Sequence, residues 1–418
     1  MNKLVIDGGV PVKGELTVQG AKNAVLPILA ATVIANDECI IHNCPVLRDV
    51  EKTDIILERL GCKLKRESGT LTVDSSGVNG CRIDEKLMRE MRSSIIFLGA
   101  ILTACGRAEV GMPGGCPIGM RPIDLHLKAL RKMGVTVSEE HGYLKCECAS
   151  LKGCDIHLDF PSVGATENIM LAAVKAEGTT VITNAAREPE IYDLACFLNM
   201  AGARIRGAGS SVIVIEGVQE LHGVEYRIMP DRIVAQTYLI AAMMTGGEMH
   251  LKDAEAAHMR AALSALTEMG ADIRIGKREV DLRSTGKINS IHILRTMPYP
   301  GFPTDIQSPF MALAAIADGT SVFVENIFEN RFRHVGELSR MGADIKVEGR
   351  SAVVRGVKQL CGANVEACEL RGGAALVLAA LAAEGRSTVS GTEYIDRGYE
   401  DIEGRLALCG ARIRRVWV

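Results

Sequence analysis

The hydrophobic pattern of the chain repeats. An apolar helical stretch ends and a β-rich run follows at AATVIANDECIIHN, AILTACGRAEVGMP, AAVKAEGTTVITNA, AAMMTGGEMHLKDA, AAIADGTSVFVENI and AALAAEGRSTVSGT. A second marker keeps the same beat: a helix-ending Gly, a small residue and a short strand, at Gly61, Gly134, Gly202, Gly270, Gly342 and Gly410. The gaps between these glycines are 73, 68, 68, 72 and 68 residues. Two markers in phase give six units of about 70 residues that fill the chain.

Each unit reads strand, apolar helix, strand, amphipathic helix and two short strands. In the third unit CDIHLDF is strand-like, ENIMLAAVKAEG the first helix, TTVITN a strand and EIYDLACFLNMAG the second helix, with ARIRGAGSSVIVIEG as a hairpin. In units three to six the first helix is apolar nearly all round, so it belongs inside a domain. Sheets and second helices then surround a cluster of such helices. Six units exceed one core, which predicts two three-unit domains with a hinge near residues 225 to 232.

Composition changes this picture little. The 418 residues are 47% hydrophobic and 24% charged, with a net charge of -3, so no global field draws the chain to nucleic acid or a membrane. The most apolar helical run, Ala374 to Ala383, is shorter than the roughly 20 residues a span needs, and the N-terminus has no secretory apolar region. Thirteen cysteines without a CxxC pair or zinc spacing read as free thiols of a reducing cytoplasm. No metal or cofactor is expected. GAGSSV (207–212) reads as a hairpin turn and not a nucleotide loop.

Several stretches carry a resemblance: GAKNAVLP (20–27), PGGCPIGMRPIDLH (113–126), PSVGATENIM (161–170), NAAREPEI (184–191), PDRI (230–233), FPTDIQ (302–307), FENRFRHVGELSRMGA (328–343) and IDRGYE (395–400). Over essentially its full length the chain resembles the UDP-N-acetylglucosamine enolpyruvyl transferases of the EPSP synthase-like superfamily. The resemblance implies two inside-out α/β barrels, each of three βαβαββ repeats around buried helices. One domain would be 21–229, and the other 1–20 plus 230–418. It implies transfer of the enolpyruvyl group of phosphoenolpyruvate to the 3'-hydroxyl of UDP-N-acetylglucosamine, through a tetrahedral intermediate and with loss of phosphate. That is the first committed step of peptidoglycan precursor synthesis, tied to cell shape and division. It is the step that fosfomycin blocks. No protein partner is implied. A different acceptor such as a shikimate phosphate, or a silent paralogue that only binds the sugar nucleotide, are the alternatives. The Gly-Gly-Cys-Pro loop and the retained Lys22, Cys116, Asp305 and Arg397 argue against them.

The repeat phase shows where to look for chemistry. Just before each first helix stand Lys22-Asn23, Arg92-Ser93, Ser162–Gly164, Asp231-Arg232, Thr304-Asp305 and Arg371-Gly372. Helix N-termini bind anions, yet Arg there opposes the helix dipole. Its recurrence at three of six equivalent positions points to anionic substrates rather than helix stability. Arg121 opens RPIDLHLKAL with Pro122 at the first helical position. Cys116 lies between glycines and a proline, and nearby Arg92 and Arg121 favour its thiolate.

By resemblance, Lys22, Cys116, Asp305 and Arg397 are catalytic. Cys116 would protonate the donor's methylene carbon, Asp305 would take the acceptor's proton, and Arg397 would clamp phosphoenolpyruvate. Lys22, Asn23, Arg92, Arg121, Pro122, Ile123, Asp124, Leu125, Ser162, Val163, Gly164, Asp305, Ile327, Arg331, Arg371 and Arg397 would contact substrate, with 122–125 around the uridine. Some relatives carry Lys where Phe160 stands, and many carry Asp in place of Glu369.

Overall fold

The computed structural model describes residues 2–112 and 123–417, apart from the side chain of Arg92. The described strands form six four-stranded sheets. The third repeat shows the plan. Asp155–His157 leads, the helix Val163–Ala173 crosses over, and Thr179–Thr183 returns parallel to the leading strand. After the helix Pro189–Met200, the hairpin Arg204–Arg206 and Val212–Glu216 adds antiparallel to it. The sheet order is therefore leading strand, returning strand, second hairpin strand, first hairpin strand.

The repeats are stitched by exchanged strands. Glu225–Arg227 leads the first sheet, pairing with Ile40 to His42. Lys13–Thr17 leads the fourth, alongside Glu248–Lys252. Asn2–Asp7 supplies the last hairpin strand of the sixth, between Arg386–Ser390 and Arg412–Trp417. The described residues fall into two compact units, one from Gly20 to Met229 and a second made of the segment before Gly20 and the segment from Pro230 onward. Each unit has its own core: one draws on residues 21 to 228, the other on 4 to 18 together with 233 to 413.

The crossover helices fill these cores. Every residue of Arg232–Met244 and of Gln307–Ala314 is buried. So are Ala165 to Ala173 and Arg371 to Leu381. Burying one large apolar side chain contributes about 1.5–3 kcal/mol, so all-round apolarity is what holds a helix inside. Close approach needs small residues. A Cβ on Gly99 would lie 2.3 Å from the Asn168 carbonyl oxygen, and the Gly99 N–H donates to Asn168 Oδ1 at 2.6 Å.

Both sequence markers coincide with one backbone event. Gly61, Gly134, Gly202, Gly270, Gly342 and Gly410 end the second helices with φ between 87° and 106°. Asn36, Gly106, Gly178, Gly246, Gly319 and Gly385 follow the crossover helices with φ of 53° to 110°. At both points in every repeat the chain enters the left-handed region, where Gly has no steric penalty and Asn a small one.

Helix limits depart from the sequence reading. The third crossover helix begins at Val163, a turn before ENIM, because Ser162 caps it and accepts the Ala165 N–H at 3.3 Å. In the second and fifth repeats a 3₁₀ turn, Arg92–Ile96 or Thr304–Ile306, precedes the α-helix. The helix expected from Arg121 begins at Asp124. The strand Glu225–Arg227 lies inside the expected hinge, which leaves the break between Met229 and Pro230. Among the described residues no helix is long and apolar enough to cross a membrane.

The φ of Gly178 is 90° and a Cβ there would meet nothing within 4 Å, so only backbone strain opposes a side chain. Gly178→Ala should therefore lose about 1 kcal/mol. Gly217→Ala, whose Cβ would fall 1.7 Å from the Ala176 carbonyl oxygen, should lose more. Urea unfolding that ranked them the other way would refute the assignment.

Candidate active site

Three segments of the second unit bring charged side chains to one carboxylate. Asp305 lies in the 3₁₀ turn Thr304–Ile306. Arg371, in the first turn of Leu370–Ala382, donates from Nε to Asp305 Oδ1 at 3.1 Å. Arg331, just before the helix Val335–Arg340, reaches the same oxygen from Nη2 at 3.4 Å and donates to the Thr304 carbonyl at 3.2 Å. The Arg331 and Arg371 side chains are 2% and 3% exposed, whereas that of Asp305 is 34% exposed. The buried cations hold the acid so that its free side faces outward.

Arg371 is aligned by its surroundings. Its guanidinium carbon stands 5.7 Å from the Tyr399 ring centroid, and the Tyr399 hydroxyl bonds Thr237 Oγ1 at 2.9 Å. Glu369 caps the helix, accepting the Arg371 N–H at 2.8 Å and the Gly372 N–H. Its carboxylate also lies 3.7 Å from Arg331 Nη1. The longer Glu at this position thus still closes the helix end, and two buried cations at a positive dipole end are balanced by Glu369 and Asp305. A Cβ on Gly372 would fall 2.8 Å from the His334 Cβ. Burial pushes the His334 pKa down to about 4, aided by Arg331 and opposed by Glu369, so this ring is neutral at pH 7.

The electrostatics set the character of Asp305. Burial alone would raise its pKa. The charges of Arg371 and Arg331, the Arg371 hydrogen bond and Arg232 outweigh it and hold the carboxyl well below the usual range. Such a carboxylate accepts a hydrogen bond readily but is a weak base. Meanwhile Arg331 Nε and Arg371 Nη1 are buried with no hydrogen-bond partner among the described residues. Two desolvated guanidinium N–H groups without acceptors are costly in a closed protein and suited to an oxyanion.

Asp231 caps Arg232–Met244 by accepting the Ile233 and Val234 N–H groups at 2.9 and 3.0 Å. Arg232 is 7% exposed beside the Tyr299 ring. Arg397 is half-buried in the turn between Thr392–Ile395 and Ile402–Leu408. Ile327 is half-buried, its N–H held by Glu325 at 2.8 Å.

In the first unit Lys22 opens Lys22–Ala35, and its Nζ lies 2.6 Å from Asp49 Oδ2. The pair is buried, with side chains 11% and 3% exposed. Asp49, in the first turn of Arg48–Leu60, compensates a cation at an unfavourable helix end. Asn23 is half-buried beside Lys22. Arg92 begins the 3₁₀ turn Arg92–Ile96.

Two segments expected at the nucleotide converge. Ile123, Asp124 and Leu125 begin the helix that carries His126. His126 Nδ1 is 2.8 Å from Asn168 Nδ2, and a Cβ on Gly164 would lie 3.3 Å from the His126 ring. His126 therefore sets Ile123–Leu125 against Ser162, Val163 and Gly164. One turn on, Glu167 is pushed well above the usual range by burial, then by Glu190 and Glu188. Phe160 is 44% exposed. The expectations for Cys116, Arg121 and Pro122 fall outside the described residues.

Sequence reasoning missed Asp49, His126, Glu325, His334 and Tyr399. Each acts on a neighbour from a different repeat or helix, and no local motif announces that. Glu369 was passed over as well, because Glu is not among the residues that usually signal an N-cap.

The comparisons agree along the whole chain. The model of the EPSP synthase (3-phosphoshikimate 1-carboxyvinyltransferase) family matches residues 6–406. UDP-N-acetylglucosamine 1-carboxyvinyltransferase 2 of Caldanaerobacter subterraneus is 52% identical over 416 residues, all of both chains. The UDP-N-acetylglucosamine 1-carboxyvinyltransferase of Nitratidesulfovibrio vulgaris is 49% identical over 417, again covering both. The enolpyruvyl transferase NikO of Streptomyces tendae superposes with a TM-score of 0.89 at 25% identity, over 99% of each chain. EPSP synthase of Acinetobacter baumannii, at 20% identity and TM-score 0.75 over both whole chains, shares the fold.

The Lys22–Asp49 pair generates a stability prediction. Lys22→Met takes the ammonium partner from a buried carboxylate and should cost about 3 kcal/mol. Adding Asp49→Leu should recover most of it, because the charge is then gone. Urea unfolding of the single and double variants measures both, and a double variant no better than the single one would refute the pairing.

Proposed function

Since this chain belongs to the EPSP synthase family, we propose that it transfers the enolpyruvyl group of phosphoenolpyruvate to the 3'-hydroxyl of UDP-N-acetylglucosamine, the opening step of peptidoglycan precursor synthesis. The observation that carries this reading is the Arg331–Asp305–Arg371 cluster: a partly exposed carboxylate beside buried guanidinium N–H groups that lack acceptors among the described residues. The relatives near 50% identity support the choice of acceptor.

In the proposed reaction the acceptor oxygen attacks C2 of phosphoenolpyruvate and its proton passes to Asp305. The donor's methylene carbon gains a proton from Cys116, giving a tetrahedral phospho-ketal. Loss of a proton from that carbon and of phosphate from C2 leaves the enol ether. Arg331 and Arg371 take the donor's carboxylate through their spare N–H groups. Lys22, Arg121 and Arg397 hold its phosphate, with Arg92 nearby. Asn23 and Ile327 meet the sugar nucleotide, and residues 122–125 with Ser162–Gly164 surround its uridine.

This assignment also resolves the weak basicity of Asp305. An anion on Arg331 and Arg371 neutralises the charges that depress its pKa. The pKa then rises toward the operating pH, where a general base is effective. The base would be switched on by the donor it is meant to use.

Enzymatic phosphate release should require phosphoenolpyruvate and UDP-N-acetylglucosamine together. Turnover as fast with shikimate 3-phosphate, or none with the UDP-sugar, refutes the acceptor.

None of the twelve described cysteines is in a disulfide, in keeping with a cytoplasmic location. Burial pushes the thiols of Cys39 and Cys146 up to about 11 and that of Cys62 to about 12. Cys105, Cys148, Cys154, Cys196, Cys368 and Cys409 are raised the same way. Such thiols are poor nucleophiles. Fosfomycin, an epoxide phosphonate, should alkylate Cys116 alone, whereas a general alkylating reagent should also reach the exposed Cys361. Peptide mapping by mass spectrometry checks this. An epoxide adduct elsewhere, or undiminished labelling of Cys116→Ser, overturns the role of Cys116.

A further inference from the structure

The turn that follows the returning strand differs between repeats. In the first, third and fourth repeats a left-handed residue stands there: Asn43, Asn184 and Asp253, with φ of 55°, 55° and 54°. The next N–H then returns to the hairpin, from Cys44 to the Gly69 carbonyl at 2.8 Å, from Ala185 to Ser211 at 3.0 Å and from Ala254 to Arg278 at 2.9 Å. The fifth repeat inserts no such residue. Glu325 itself donates to the Arg350 carbonyl at 2.8 Å.

Its side chain is buried and ties several segments together. Glu325 is 0% exposed. Its Oε1 accepts from Thr296 Oγ1 at 2.9 Å, from the Ile327 N–H at 2.8 Å and from the Phe328 N–H at 3.1 Å. Its Oε2 accepts from Thr304 Oγ1 at 3.0 Å. Four donors thus reach the carboxylate, three at Oε1 and one at Oε2. Three of them shape the turn. The fourth does not: Thr304 belongs to the segment that carries Asp305, and its carbonyl receives Arg331.

We propose that Glu325 is a positioning residue for the transfer reaction, locking the Asp305 segment and the Ile327 segment into one frame so that base and acceptor hydroxyl meet in register. It touches neither substrate and acts through Thr304 and through the Ile327–Phe328 backbone. The proposal rests on the function proposed above, which assigns Asp305 and Ile327 their roles.

A turn-forming role and a positioning role separate at Thr304. Thr304→Val removes one hydrogen bond of the four and leaves the turn intact. Misplacing a reacting group by about 1 Å can cost roughly a hundredfold in rate, and a smaller shift less. Thr304→Val should therefore lower kcat about tenfold, keep the melting temperature within a few degrees and leave KM for phosphoenolpyruvate within about twofold. Thr304→Ser, which keeps the hydroxyl, should restore kcat. Glu325→Gln should lower kcat at least as far and raise KM for the UDP-sugar through Ile327. Amide hydrogen exchange of the free protein gives a reading independent of turnover. Thr304→Val should speed exchange over 304–307 only, and Glu325→Gln over 304–307 and 326–331 together. A Thr304→Val variant with unaltered kcat, or exchange unchanged in both variants, overturns the proposal. An unaltered protein without turnover on the UDP-sugar would sink the assigned reaction, while the exchange data still decide whether Glu325 couples the two segments.

Discussion

A chain that buries a helix in every repeat and then returns as a strand must reverse direction within one or two residues each time. At the end of every crossover helix and every second helix it does so through a backbone conformation that side chains disfavour. That constraint fixes where glycine must stand, and the spacing of those glycines fixes the length of the repeat. The crossover helices then share one polarity. Their N-terminal ends, with unsatisfied N–H groups, become the places where charge collects.

The site inherits both the benefit and the cost of that geometry. A helix N-terminus welcomes anions, yet Lys22, Arg232 and Arg371 place cations there. The structure offsets each with an acid. Asp49 meets Lys22, Asp231 caps the helix of Arg232, and Glu369 caps the helix of Arg371 while approaching Arg331. Such pairs add little net stability when buried, but they keep cations at helix ends where, in the proposed function, a phosphate or carboxylate would arrive.

The repeat and its period were legible because they rest on local rules: left-handed glycines, all-round apolar helices and alternating strands. Ser162 and Asp231, recognised as helix-opening positions, do cap their helices, because capping is also local. The strand exchanges at 2–7, 13–17 and 225–227 were less legible. A five-residue strand states its burial but not its partner, and only the resemblance suggested that the first strand belonged with the second half. Glu369 looked like a mere departure from its relatives, since its cap depends on a conformation that the sequence does not print. Asp49, His126 and Glu325 were silent for a common reason. Each is a polar residue whose partner lies in a different element, and composition cannot distinguish it from a solvated side chain.

Asp305 shows how the arrangement turns structure into chemistry. A carboxylate gripped by two buried arginines is stable and nearly inert toward protons. In water the same group would be a somewhat better base but would have no fixed position. The cluster offers a way past this trade-off, because the cations that weaken the base also retain vacant N–H groups. An anion that takes those groups lowers the positive potential at Asp305 without moving it. In the proposed reaction, position would be set by the fold, through Arg331, Arg371 and the Thr304–Glu325 link, and basicity by occupancy. A donor carrying both a carboxylate and a phosphate is well matched to such a device. On that proposal, proton removal from the acceptor would become favourable only when there is a group ready to be transferred to it.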